Sequence, residues 1–128
     1  MTPSPQTLTH QLHVGPPHID LDTFNDMCEI MEEEMRDLVD TFLADAPRLL
    51  EGMGRAIVAG DTEALINPAH SLKSTTASLG LMRLSGYARE LEKKGRHTDK
   101  DGVDDLFAQA TAAWKVVQEE LPRLMYEN

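Results

Sequence analysis

From residue 20 onward, apolar side chains recur every three or four positions, the spacing that lines one face of an α-helix. Asp22 is placed to cap a first helix whose apolar face carries Phe24, Met27, Ile30 and Met31. A second helix is predicted from about 33 to 59, with Met35, Leu38, Val39, Phe42, Leu43, Leu49, Leu50, Met53, Ile57 and Val58 on the same period. Pro47 falls inside it and is expected to kink it, because proline removes a backbone donor. Gly60 closes this helix, and Asp61 is placed to cap the next. The pair Asn67-Pro68 predicts either a restart, with Asn67 as cap and Pro68 first in the helix, or a kinked continuous helix. Gly80 ends that segment. A helix from about 82 to 96 carries Leu84, Tyr87, Ala88 and Leu91, and the polar stretch HTDKDG leads to a last helix. That helix uses Val103, Leu106, Phe107, Ala110, Trp114, Val117 and Leu121, and is expected to stop before Pro122. Short connections between long amphipathic helices favour antiparallel neighbours. The expected fold is all-α: an antiparallel up-and-down four-helix bundle with an additional short N-terminal helix.

Residues 1–17 break the pattern, with four prolines, almost no charge and no helical period, and read as a flexible N-terminal tail ahead of a bundle domain over 18–128. The tail's His10 and His13, with His18 just after, have a spacing that suits a transition metal, but no carboxylate or thiol stands beside them. They read as incidental, and no metal site is expected.

At 128 residues the chain buries enough surface to fold without disulfides, and its single cysteine, Cys28, excludes both a disulfide framework and a cysteine zinc cage. Twelve basic against 22 acidic residues give a net charge of −10, which repels phosphate backbones and anionic lipid. Neither nucleic acid nor membrane is expected as a partner. With no apolar run of membrane-spanning length and no signal-peptide pattern near the start, a cytoplasmic location and a monomeric state are the expectations.

Chemistry concentrates around His70. On a helix, Ala69, Leu72, Thr76 and Leu79 share one face and suit a core, while His70, Lys73, Ser74, Ala77 and Ser78 share another and suit solvent. Small side chains around an exposed imidazole let another protein's backbone approach it. Helix propensity does not explain them, since serine is a mediocre helix former. Imidazole is a competent nucleophile near neutral pH without a separate base. Phosphoryl transfer asks mainly for positioning and for cations near the moving oxygens, which Lys73 one turn away can supply.

The segment AHSLKSTTASLG, residues 69–80, resembles the signature of the histidine-containing phosphotransfer (HPt) family, AHxLKG followed, after five intervening residues, by glycine. His70 matches the phosphorylated histidine, Leu72 the core leucine, Lys73 the basic residue and Gly80 the turn glycine that ends the helix. The likeness runs through FLADAPRLLEGMGRAIVAGD upstream and LSGYARELE downstream, roughly residues 19–96. Ser74 stands where the family most often has glycine, which narrows access to the histidine, and Pro68 is an unusual residue two positions before it. Across the Gly80 hairpin, Glu92 occupies the region where some members carry glutamine. It reads either as an orienter of the imidazole or as a solvated partner of Arg89 or Arg96.

The resemblance implies a phosphorelay intermediate, not an ATP-dependent kinase. His70 takes a phosphoryl group from a receiver-domain phospho-aspartate and passes it to an aspartate of a response regulator. The implied partners are receiver domains of response regulators and of a hybrid sensor histidine kinase; no cofactor is expected, with Mg2+ confined to the partner receiver. The rival reading is a non-phosphorylated helical module that sequesters a receiver domain or sensor kinase. Retention of both His70 and Lys73 argues against the rival, and charge fits a receiver as partner. Residues 20–45 carry ten acidic groups against Arg36, whereas residues 70–100 carry seven basic groups against three acidic ones. The His70 hairpin is thus locally positive, the complement of a carboxylate-rich receiver site. Met27, Met31 and Met35, four apart, read as core before docking surface, as does Trp114.

Overall fold

The computed structural model describes residues 16–127, all helix and loop among those residues. The helices are α1 (Leu21–Met31), α2 (Glu34–Ala59), α3 (Ile66–Leu79), α4 (Met82–Arg96) and α5 (Val103–Tyr126), with a single 3-10 turn at Thr62–Leu65 before α3. Helix α3 packs on α2 and α4, α5 packs on α4 and α2, and α1 lies against α2 and α3. The four long helices therefore close into a ring around one core. Met35, Val39 and Met53 of α2, Leu72 and Leu79 of α3, Leu84 and Leu91 of α4, and Val117 and Leu121 of α5 are all fully buried there. Trp114 joins them, meeting the Phe42 ring edge-on at 5.7 Å.

Several local expectations change. Asp20, not Asp22, holds the N-cap position of α1; its carboxylate accepts from the Thr23 hydroxyl at 2.9 Å and caps no backbone N–H. Ile30 is 75% exposed, and the packed face of α1 is Phe24, Met27, Cys28 and Met31. Asp61 does cap, accepting from Ala64 N, but what it caps is the 3-10 turn. That turn runs straight into α3, so Leu65 is the cap and Asn67 and Pro68 are the second and third helical residues. Pro68 costs nothing there, since the first turn of a helix has no internal partner for its N–H groups. The last helix continues through Pro122 to Tyr126, and Pro47 sits inside an uninterrupted α2. Met35 is fully buried, with Met27 and Met31 partly buried against the core, so the methionine stripe packs inward. The tail's His10 and His13 lie outside the described residues.

Two glycines fix the hairpin of α3 and α4. Gly80 ends α3 with φ +80°, and a Cβ there would stand 2.8 Å from the Asp20 carbonyl oxygen at the start of α1. The Asp20 N–H in turn donates to the Gly80 carbonyl at 2.7 Å, so α1 is fastened onto the turn. At the far end of α4, a Cβ on Gly95 would stand 2.8 Å from the Thr62 carbonyl oxygen, so only glycine lets α4 close on the 3-10 turn. Gripped at both ends, α3 and α4 hold a fixed register against each other.

Candidate functional site

Helix α3 sorts its residues as the period requires. Ala69, Leu72, Thr76 and Leu79 are buried, and His70, Ser74, Ala77 and Ser78 are exposed. The backbone beneath the exposed face is held by hydroxyls: Thr76 donates to the carbonyls of Leu72 (2.6 Å) and Lys73 (3.0 Å), and Ser85 of α4 donates to the Lys73 carbonyl (3.2 Å). Beside it, a groove of about 350 Å³ opens between α2 and α3, lined by Leu38, Phe42, Asp45, Leu49, Ser71 and Thr75 among others.

The α3–α4 register brings Glu92 under His70. Oε2 of Glu92 lies 3.1 Å from Nδ1 of His70, whose side chain is 55% exposed while Glu92 is only 5% exposed. The same carboxylate is clamped by two cations. Lys73 Nζ sits 2.7 Å from Oε1, and Arg96 brings Nε and Nη2 to 3.0 and 2.6 Å from Oε2. The Lys73 hydrogen bond foremost, followed by those from Arg96 and His70, outweighs the cost of burial and holds the Glu92 carboxyl down at about 2. Ionised Glu92 can only accept, so in the neutral imidazole Nδ1 carries the hydrogen. Nε2, on the opposite side of the ring, keeps its lone pair.

The Hpt domain profile matches residues 37–125. A crystal structure of histidine-containing phosphotransfer protein B (HptB) from Pseudomonas aeruginosa PAO1 is similar, with a TM-score of 0.79 and 32% identity over 88% of this chain and 99% of that one. The chain belongs to the Hpt family. A comparison with curated protein sequences finds no match. As an Hpt protein it is a phosphotransfer intermediate of two-component phosphorelays, and its family consists of phosphotransfer carriers that interact with receiver domains, not of kinases. The profile reaches through α5, further than the residue-by-residue likeness over 19–96.

Within this Hpt domain the structure brings His70, Lys73 and Glu92 into one cluster, with Gly80 as the left-handed cap that turns α3 back toward α4. Arg96 joins the cluster and Arg89 does not touch Glu92. The two readings of Glu92 thus merge: one carboxylate is both hydrogen-bonded to the imidazole and paired with Arg96. What the sequence reading missed is its burial. The signal was present, since Leu84, Ala88, Leu91 and Gly95 mark the buried stripe of α4 and Glu92 stands one turn beyond Ala88 at its edge. An acid there needs paired cations, and Arg89 at i−3 and Arg96 at i+4 are the candidates along the helix, of which Arg96 makes the pair. Among the described residues no group of three or more His, Cys, Asp or Glu is arranged to hold a metal, and no helix is long and apolar enough to cross a membrane.

Proposed function

We propose that His70 is the phosphoryl-accepting residue, and that Lys73 and Glu92 serve it. The carrying observation is the exposed imidazole with Nδ1 anchored on a buried, ionised carboxylate, which leaves Nε2 as the nucleophile. The Nε2 lone pair attacks the phosphorus of a receiver's aspartyl phosphate; the N–P bond forms as the P–O bond breaks, and the aspartate leaves as a carboxylate. The ring, still carrying its Nδ1 hydrogen, becomes cationic, and Glu92 stabilises that charge from 3.1 Å. In the second transfer, an aspartate oxygen of another receiver attacks the phosphorus and neutral imidazole departs. Lys73 offsets charge on the phosphoryl oxygens.

Ser74, Ala77 and Ser78 form the access face on which a receiver's loops close over His70, and Gly80 sets its edge. The partners are receiver domains of response regulators and of a hybrid sensor kinase, met by a cytoplasmic monomer. The chain contributes no ATP site and no cofactor of its own, the Mg2+ belonging to the receiver. We read the ring of four long helices as an up-and-down bundle on its short connections, with residues 18–128 as the working domain and 1–17 as a tail. The test is incubation with phosphorylated receiver domains. Acid-labile, base-stable label is expected on the wild type and none on a folded His70→Gln variant. Equal labelling of both rejects His70, and a wild type that binds receivers without labelling supports the sequestering module instead.

A further inference from the structure

Glu92 has more cations than one carboxylate needs. Lys73 occupies Oε1 from across the helix pair, whereas Arg96 grips Oε2 from one turn along the same helix with two of its nitrogens. The two pairings differ in what they constrain. Lys73 stands next to His70 on α3, so any negative group arriving on the imidazole competes with Glu92 for its ammonium. Arg96 lies in the last turn of α4, a turn locked against the 3-10 segment by the close approach at Gly95. Its place four residues along the same helix leaves it on Oε2 when Lys73 turns away, so what it supplies is a charge at a fixed position. A buried carboxylate left with no cation would be drawn toward protonation, and a protonated Glu92 could offer its own hydrogen to Nδ1 and reverse the tautomer.

We propose that Arg96 is a positioning residue for phosphotransfer: it keeps Glu92 ionised and aimed at His70 Nδ1, which releases Lys73 to follow the phosphoryl group. This rests on His70 as the phosphoryl acceptor. The bonds Arg96 makes are to Glu92 and not to the imidazole, so it acts through Glu92. A single cation on Glu92 would have to serve two masters during transfer, whereas the pair divides the work. The cluster of Lys73, Arg96 and Glu92 carries a net charge of +1, so one positive charge remains for the incoming phosphoryl group after Glu92 is satisfied.

The test compares wild type, Arg96→Ala and Arg96→Lys, each alone and in a Glu92→Gln background. Readouts are the transfer rate from a phosphorylated receiver at saturating receiver, the receiver Kd, and the His70 tautomer by 15N NMR of the unphosphorylated protein. Arg96→Ala is expected to slow saturated transfer roughly tenfold with little change in Kd and, where Lys73→Ala has also removed the other cation, to lower the fraction of His70 protonated on Nδ1. Arg96→Lys is expected to recover most of both. In the Glu92→Gln background, where no carboxylate is left to hold, Arg96→Ala is expected to add nothing. The same loss in both backgrounds, or a loss confined to Kd, would show Arg96 to be a receiver contact and overturn the proposal. An unchanged rate in a folded Arg96→Ala protein, with an unchanged tautomer when Lys73→Ala is added, would make it a surface ion pair. Because the tautomer is read without any receiver, it decides Arg96 even if labelling of His70→Gln rejects His70 as the acceptor.

Discussion

With His70 as the proposed acceptor, the buried glutamate paired with a lysine, an arginine and a histidine bears on chemistry and stability together. Its carboxyl is held at about 2 in the fold against an ordinary value of 4.5. A carboxylate with a depressed folded value contributes stability that is fully present above the unfolded value and is lost as pH falls through the folded one. Acid should therefore erode the fold between about pH 4.5 and 2, and Glu92→Gln should flatten that part of the stability curve. Urea titrations of both proteins across that range check this; superimposable slopes with pH would assign the acid sensitivity to other carboxylates. Lys73 tests the chemistry separately. Its backbone carbonyl is held by Thr76 and Ser85, so removing the side chain leaves the helix seated. Lys73→Ala should slow transfer roughly ten- to a thousandfold and lower melting only by the lost share of the Glu92 clamp, since Arg96 still holds the carboxylate. A melting temperature that collapses along with the rate would make Lys73 a structural tie between α3 and α4. At this scale the sequence disclosed His70, Lys73 and Glu92 through motif and spacing. That His70 and Lys73 of α3 both reach Glu92 of α4 depends on how two helices are rotated against each other, which no single helix's period determines.

Among the elements, the four long helices were legible because each has one wide apolar stripe against one core. Helix α1 was the partial failure. Its period predicts a single apolar face from Phe24 to Met31, yet only Phe24 is buried and Ile30 faces solvent. A short helix resting on a turn and on the start of α2 meets the core over a narrow strip, so a regular stripe overstates what it buries. Boundaries at proline were misplaced for a related reason. Pro68 falls where the helix has no N–H to satisfy, and α5 continues past Pro122, so proline did not mark an end in either place. Gly80 is the element-scale hinge of the fold. With φ +80° and a Cβ position 2.8 Å from the Asp20 carbonyl, Gly80→Ala faces both a left-handed backbone and a clash with α1. The variant should lose at least about 1–3 kcal/mol and melt several degrees lower. Hydrogen exchange should rise first in α1, the element that rests on the turn. Unchanged melting and exchange would show that α1 can shift away without cost.

Over the whole molecule, the uneven charge seen in the sequence is partly cancelled once side chains are placed. Of the seven basic groups in residues 70–100, Lys93 pairs with Glu90 at 3.8 Å, Lys94 with Asp99 at 2.9 Å, and Lys73 and Arg96 share Glu92. Local pairing removes short-range pull but leaves the long-range sum, and residues 20–45 still carry ten acids against one base. The molecule thus has an acidic flank in α1 and the first half of α2, and a positive excess on the hairpin that presents His70. That asymmetry acts on encounter with an acidic partner surface, over distances that salt screens within about 10 Å at 0.1 M. The transfer step itself, inside a closed contact with Lys73 and Glu92 already paired, should feel salt little. Raising ionic strength from about 0.05 to 0.5 M should therefore lower the association rate with a receiver severalfold and leave the saturated transfer rate nearly constant. Arg89, exposed and one turn before Glu92, is the place to test the sign. Arg89→Glu should slow association further and reduce its salt dependence, with the saturated rate and the melting temperature unmoved. Stopped-flow association and quenched transfer on the same two proteins separate these effects. A salt dependence that instead fell on the saturated transfer rate would place the governing charges inside the Glu92 cluster and not on the face of the hairpin.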